Sequence, residues 1–218
     1  MYKLSPSSLS LLKDCPRCFW LRFRKKVKRP EGIFPSLPSG MDKILKEHFD
    51  RFRAAGKLPP ELSKLDGQVK LFDDMKLLSD WRNNFKGIQW KDSEGNLFRG
   101  AVDEILQKGS RLIILDFKTR GFERDESTLG YYQDQLDIYN LLFRKNGYKT
   151  EEYSYLLFYM PDKVDEKGEV LFNRELVQMR IDVGNAERIF KESLAVLAGE
   201  MPEPDAECEY CRWAKEWE

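Results

Sequence analysis

Three residues near the middle of the chain have the types and spacing for phosphoryl chemistry: Asp103, Asp116 and Lys118. Asp116 and Lys118 flank Phe117 at the end of the apolar run "RLIILDFKTRG". That run reads as a strand buried on both faces. Residues two apart on a strand share a face, so the carboxylate and the ammonium point together with Ile114 behind them. Phe117 points the other way. The preceding segment, "RGAVDEIL", carries Asp103. A turn centred on Lys108 and Gly109 sets Asp103 opposite Ile114 and diagonal to Asp116, on one face. Diagonal Cα atoms stand ~7–8 Å apart, close enough for two carboxylates to converge. Mg²⁺ takes oxygens at about 2.0–2.1 Å, keeps several waters, and accepts one or two carboxylates and a substrate phosphate. Two Asp on adjacent strands supply that minimum. The ammonium beside them can hold an attacking water or offset charge building on a phosphorane. Taken alone, Asp-x-Lys is equally an ion pair at the end of a sheet.

These residues need a frame. Ser5 is a good helix N-cap and Pro6 a good first helical residue. Pro16 restarts that helix rather than continuing it. Residues 29–40, rich in Pro and Gly, read as a loop. Helical spacing over 41–55 places Ile44, Leu45, Phe49 and Phe52 in one apolar stripe. The stretch "GIQWKDSEGNLFRGAVDEILQKGSRLIILDFKT" predicts three strands with turns at "DSEGN" and "KGS". A helix over 128–145, strands over 153–160 and 170–181, and a helix over 184–198 follow. This order predicts an α/β or α+β layer structure with a mixed sheet.

Gln135 and Tyr139 are one helical turn apart and share a face. The ordered set Gly100-x-x-Asp103, Asp116-x-Lys118 and Gln135-x-x-x-Tyr139 resembles the PD-(D/E)XK nuclease superfamily, in its RecB-like branch. The resemblance implies a restriction-endonuclease-like core, a central mixed β-sheet flanked by helices. It spans 1–218 as one nuclease domain, with the core at 40–199. Asp103 and Asp116 become ligands of Mg²⁺ or Mn²⁺, with the backbone oxygen of Phe117 as a third. Lys118 positions or activates the water, and Gln135 and Tyr139 steady the site or the DNA backbone. Tyr139 also fits a core stripe with Leu136 and Phe143. The family carries a metal-binding His on the preceding helix, and His48 is the one histidine here. His48 lies further past Gly40 than the family spacing, with Ile44 at the usual offset, so ligand and packed structural His both stay open.

Cys15 and Cys18 form "CPRC", and Cys208 and Cys211 form "CEYC", with no other cysteine in the chain. Two matched Cys-x-x-Cys pairs are a complete set of four thiolates for Zn²⁺ or a [4Fe–4S] cluster. One metal held by both pairs would staple residues 1–30 to 200–218. Some CRISPR-associated and recombination nucleases of the RecB-like branch carry a four-Cys iron–sulfur staple, which points to [4Fe–4S] here. Their arrangement is one Cys before the core and three after. The two-and-two arrangement equally suits structural Zn²⁺.

Hydrophobic residues make up 41% and charged residues 34% of the 218, the balance of a globular protein. No apolar run approaches the length of a membrane span, and the N-terminus does not read as a secretion signal, so a cytoplasmic location is expected. Net charge is zero, but residues 17–30 carry seven Lys or Arg and no acid. Arg17, Trp20, Arg22, Arg24, Lys25 and Lys26 are therefore candidate DNA-binding residues, with Phe or Trp stacking on unpaired bases. A solvated amphipathic helix explains the same charges. The reading that joins these signals is a metal-dependent DNA nuclease, an exonuclease on single-stranded ends in repair, recombination or CRISPR-type adaptation, with a helicase or integrase-type partner. The alternative is a DNA-binding accessory subunit with weak or lost nuclease activity. A redox protein would use the cysteines alone.

Overall fold

The structure is a computed structural model that describes residues 1–32 and 34–215. In chain order the elements are β1 (Lys3–Leu4), α1 (Pro6–Asp14), α2 (Pro16–Trp20), α3 (Ser36–Ala54), β2 (Lys70–Leu71) and α4 (Met75–Arg82). Then come β3 (Ile88–Lys91), β4 (Leu97–Gly100), β5 (Glu104–Lys108), β6 (Arg111–Thr119) and α5 (Gly130–Lys145). The chain continues through β7 (Tyr153–Val164), β8 (Val170–Arg180), α6 (Val183–Ala198) and α7 (Glu209–Lys215).

Local chemistry explains most of these bounds. The Ser5 hydroxyl accepts the Ser8 N–H, the Ser5 N–H donates back to Ser8 Oγ at 2.7 Å, and Pro6 opens α1. Helix α3 begins inside the stretch expected to be loop. Pro38 lies in its first turn, where a missing N–H costs no helical bond. The buried stripe of α3 is Met41, Leu45 and Phe49, while Ile44 faces solvent. Pro161, expected to end its strand, sits instead at a register shift where β7 continues into the hairpin with β8.

The main sheet has the order β2-β5-β6-β7-β8, and a small second sheet has the order β1-β4-β3. Strands β6 and β7 are parallel and the other pairs of the main sheet are antiparallel, so the sheet is mixed. Helix α5 makes the crossover between the parallel pair. The two faces of β6 enter different cores. Leu112 and Ile114 pack toward α5 and α6; Ile113, Leu115 and Phe117 pack toward α3, with the Phe49 and Phe117 rings 4.8 Å apart. This is why β6 reads as an unbroken apolar run.

Two expectations about this region are corrected. The hairpin turn falls on Gly109 and Ser110, because Lys108 pairs with Arg111, and Gly109 supplies φ +56° as the first turn residue. The ladder is therefore shifted by two residues from the expected pairing. A two-residue shift preserves the face and brings Asp103 level with Asp116 rather than diagonal to it. The expected long strand through Asp103 is also broken. Residues 101–103 leave the sheet and are held by α4, through Val102 N–H to Trp81 O at 3.1 Å and Arg82 Nε to Asp103 O at 2.8 Å.

Candidate active site and cysteine centre

Strand β6 presents Asp116 and Lys118 toward α5. Asp116 is 2% exposed, and the Lys118 ammonium lies 2.5 Å from its Oδ2. The approach is out of hydrogen-bond alignment, so this buried oxygen has no directional partner. Lys118 Nζ donates instead to Gln135 Oε1 at 2.8 Å and stands 4.4 Å from the Tyr132 ring centroid. Gln135 Nε2 in turn donates to the Tyr139 hydroxyl at 2.8 Å. An ion pair from Asp116 to Lys118 and hydrogen bonds from Lys118 through Gln135 to Tyr139 therefore form one relay that unites four of the residues singled out by sequence.

Asp103 joins from the break between β4 and β5. Its Oδ2 accepts the Phe117 N–H at 2.9 Å, and its Oδ1 lies 3.1 Å from Lys46 Nζ. Arg120 N–H bonds to Tyr159 on β7, so alternate residues of β6, Phe117 among them, direct their backbone groups to the β5 side. The Phe117 carbonyl thus faces the same gap as Asp103.

Burial drives the Asp116 carboxyl up to about 6; Asp103 reinforces the rise and Lys118 opposes it. Burial works against the Lys118 ammonium too, but Asp116 and Asp103 outweigh it and raise its pKa. Lys118 is then a cationic donor at neutral pH, suited to orienting water and stabilising negative charge. Tyr139 is pushed well above its ordinary value by burial and by both carboxylates, so it stays a neutral hydroxyl.

The carboxylates fit a cation. Asp103 already accepts an ammonium, and Asp116 Oδ2 is a buried acceptor with no aligned donor. Cation binding is expected to strengthen as pH rises through about 6, where Asp116 loses the competing proton, and to level off above. A Mn²⁺ titration at several pH values checks this; an affinity that does not change with pH contradicts it.

His48 is not brought to the carboxylates. It lies on the far side of α3, where its Nε2 sits 3.2 Å from Glu61 Oε2 and its ring meets Phe49 and Phe52. Lys46 and Asp42, two and six residues earlier, occupy the face turned to Asp103, with Lys46 Nζ 2.7 Å from Asp42 Oδ1. Two residues along a helix turn a side chain by more than half a circle, which separates Lys46 from His48. The Asp42–Lys46 pair at one-turn spacing was visible in sequence, but nothing there showed which face of α3 meets the strands.

The support beneath Asp103 was not legible in the sequence. Glu104 is fully buried and holds Arg53 at 2.5 Å and Arg82 at 2.9 Å; Asp50 accepts from both arginines. Arg82 therefore ties Asp103's carbonyl to a buried ion network. Gly100 has its own role. A Cβ there would meet Tyr139 Cε1 at 2.6 Å and Cδ1 at 2.8 Å, so the Gly permits the ring to seat. Gly100→Ala is expected to cost about 1–3 kcal/mol by overpacking, measured by urea unfolding.

The four cysteines converge from opposite ends of the chain. Sulfur separations are 3.8 Å for Cys15–Cys211, 3.7 Å for Cys18–Cys208 and 3.6 Å for Cys18–Cys211. All four sulfurs lie within 4.8 Å of one another, the one such gathering of His, Cys, Asp or Glu ligands among the described residues. Donors surround them: Asp205 N–H reaches Cys15 Sγ at 3.5 Å and Arg29 Nη2 reaches Cys208 Sγ at 3.6 Å. Burial raises the Cys15 thiol, but the backbone N–H groups of Cys18 and Asp205 outweigh it, bringing Cys15 down to about 7.

Around this centre, Arg22, Arg24, Lys25 and Lys26 are exposed and Arg17 is half-buried. Trp20 is corrected: only 8% is exposed, and its indole N–H donates to Gly199 O at 3.1 Å. Phe19 is fully buried. Neither ring is free to stack on a base; Trp20 instead supports Arg24 and Lys25, at 5.8 and 6.0 Å from its ring.

The sequence profile of the PD-(D/E)XK nuclease superfamily matches residues 42–215. The chain belongs to that superfamily. No curated protein matches it significantly.

Proposed function

We propose that this protein is a metal-dependent DNA nuclease that digests single-stranded DNA from an end, in a repair, recombination or CRISPR-type setting. The observation that carries it is the relay from Asp116 through Lys118 and Gln135 to Tyr139, with Asp103 alongside. Asp103, Asp116 and the Phe117 carbonyl would hold Mg²⁺ or Mn²⁺. Bound there, the ion supplies Lewis-acid polarisation of the phosphate and a more acidic water. Lys118 donates to the attacking water or to the phosphate oxygens as negative charge builds on them. Water adds to phosphorus and one P–O ester bond breaks, leaving a phosphate monoester and a hydroxyl. Gln135 fixes the Lys118 ammonium, and Tyr139 fixes Gln135.

The cysteine centre serves as a staple between residues 1–30 and 200–218. Its sulfur spacing favours Zn²⁺ over the [4Fe–4S] cluster expected from the resemblance. Tetrahedral Zn²⁺ at about 2.3 Å from each thiolate sets sulfurs ~3.8 Å apart. A cluster places each thiolate on a different iron and needs a wider cradle. A helicase or integrase-type partner remains part of the reading.

Linear and circular single-stranded DNA, incubated with Mg²⁺ or Mn²⁺, test the end requirement. Digestion of the linear strand alone is the expected result. Cleavage of the circle would replace the exonuclease reading with an endonuclease one.

A further inference from the structure

Beside the catalytic relay lies a polar cavity of about 300 Å³ that the chemistry above does not use. Gln135 and Tyr139 form its inner wall, so it opens directly off the relay. Its outer walls are Arg99 on β4, Lys86 on the loop 83–87, and Ser7 in the first turn of α1. Arg99 pairs with no carboxylate among the described residues. Its Nη1 donates to Phe85 O at 2.9 Å, which leaves the remaining guanidinium N–H groups for another acceptor. Among the described residues, Lys86 pairs with Asp80 at the surface.

The loop is held rigidly. The Asn83 side chain accepts the N–H groups of Phe85 and Lys86. Gly87 has φ +60°, and a Cβ there would meet Gly100 O at 2.2 Å. Gly87 therefore sits on Gly100, and Gly100 on Tyr139. The stack sets the backbone positions of Arg99 and Lys86 relative to the relay. It also projects Phe85, 85% exposed, from the same loop. The large aromatic ring of Phe85 thus stands in water on the loop whose Phe85 carbonyl accepts from Arg99.

We propose that this cavity is a subsite for the nucleic-acid strand next to the scissile bond. Its phosphodiester binds Arg99 and Lys86, and its unpaired base stacks on Phe85. A planar guanidinium suits a phosphate's paired oxygens, and stacking on an aromatic ring accepts any base. This rests on the nuclease reading and adds the path of the strand to it.

Fluorescence anisotropy with a labelled ~20-nucleotide single-stranded DNA and no added Mg²⁺ or Mn²⁺ reads binding without turnover. Arg99→Ala is expected to weaken binding roughly tenfold and to reduce the salt dependence by ~0.7 in the log–log slope, one phosphate contact fewer. Phe85→Ala is expected to weaken it roughly five- to tenfold with the slope unchanged. Lys167→Ala, on the exposed β7–β8 hairpin tip, removes the same charge and is expected to change neither. Unchanged affinity in Arg99→Ala, or an equal loss in Lys167→Ala, would overturn the subsite. Wild type failing to cleave in both Mg²⁺ and Mn²⁺ would overturn the nuclease reading instead.

Discussion

Lys118→Ala is expected to lower strand cleavage by about 10²–10³-fold while the fold and DNA binding persist. The size follows from where the ammonium stands. It is held by Asp116, Gln135 and the face of Tyr132, with 15% of the side chain exposed. A cation fixed before reaction, in a site largely free of water, needs no reorganisation as charge develops on the phosphate. Its raised pKa keeps it charged at neutral pH, so the alanine variant loses a donor rather than a base. Lys118→Arg keeps the charge but not the geometry, because the guanidinium fork cannot occupy the Asp116–Gln135 slot of one ammonium. It should rescue little. A wild-type rate in Lys118→Ala would remove this residue from the chemistry.

Cys208→Ser is expected to remove the bound metal and lower stability by about 3–5 kcal/mol, a fall in Tm of roughly 6–20 °C. The four sulfurs close almost the whole chain into one loop, so their release frees both ends. The consequence reaches the core. Helix α2 contributes Phe19 to the core cluster that holds Phe98 of β4 and Phe190 of α6, and Cys15, Cys18 and Cys208 are themselves buried. Chelation of wild type should reproduce the shift. Metal analysis of the purified protein should find about one Zn²⁺ per chain. A brown protein with iron and sulfide would reverse the metal assignment, and an unchanged Tm in a metal-free variant would contradict the staple.

Much of this site was legible because its parts are local. Asp116 and Lys118 declare a shared face by strand alternation, and Gln135 and Tyr139 by helical spacing. The paired cysteines announce a centre wherever the chain ends meet. What escaped depends on distant partners. Helix α4 is short and buries only Leu78 and Trp81, too few for a clear period. Yet Arg82 at its end pulls Asp103 out of the ladder. The helix carrying His48 was legible, but its rotation about its own axis was not, so Lys46 stood where the histidine was expected. Trp20 looked like a ring for a base because its partner, the Gly199 carbonyl, comes from the other end of the chain. The two-residue offset of the β5–β6 hairpin left every side chain on its expected face, and the pairing of the carboxylates survived it.

The most direct measurement is hydrolysis of end-labelled single-stranded DNA by wild type and by Asp116→Asn, with Mg²⁺ or Mn²⁺ added and with neither. Cleavage by wild type is expected with either metal and not without, and the variant is expected to bind the strand but not to cut it. No cleavage by wild type in either metal, or cleavage that survives Asp116→Asn, would contradict this expectation.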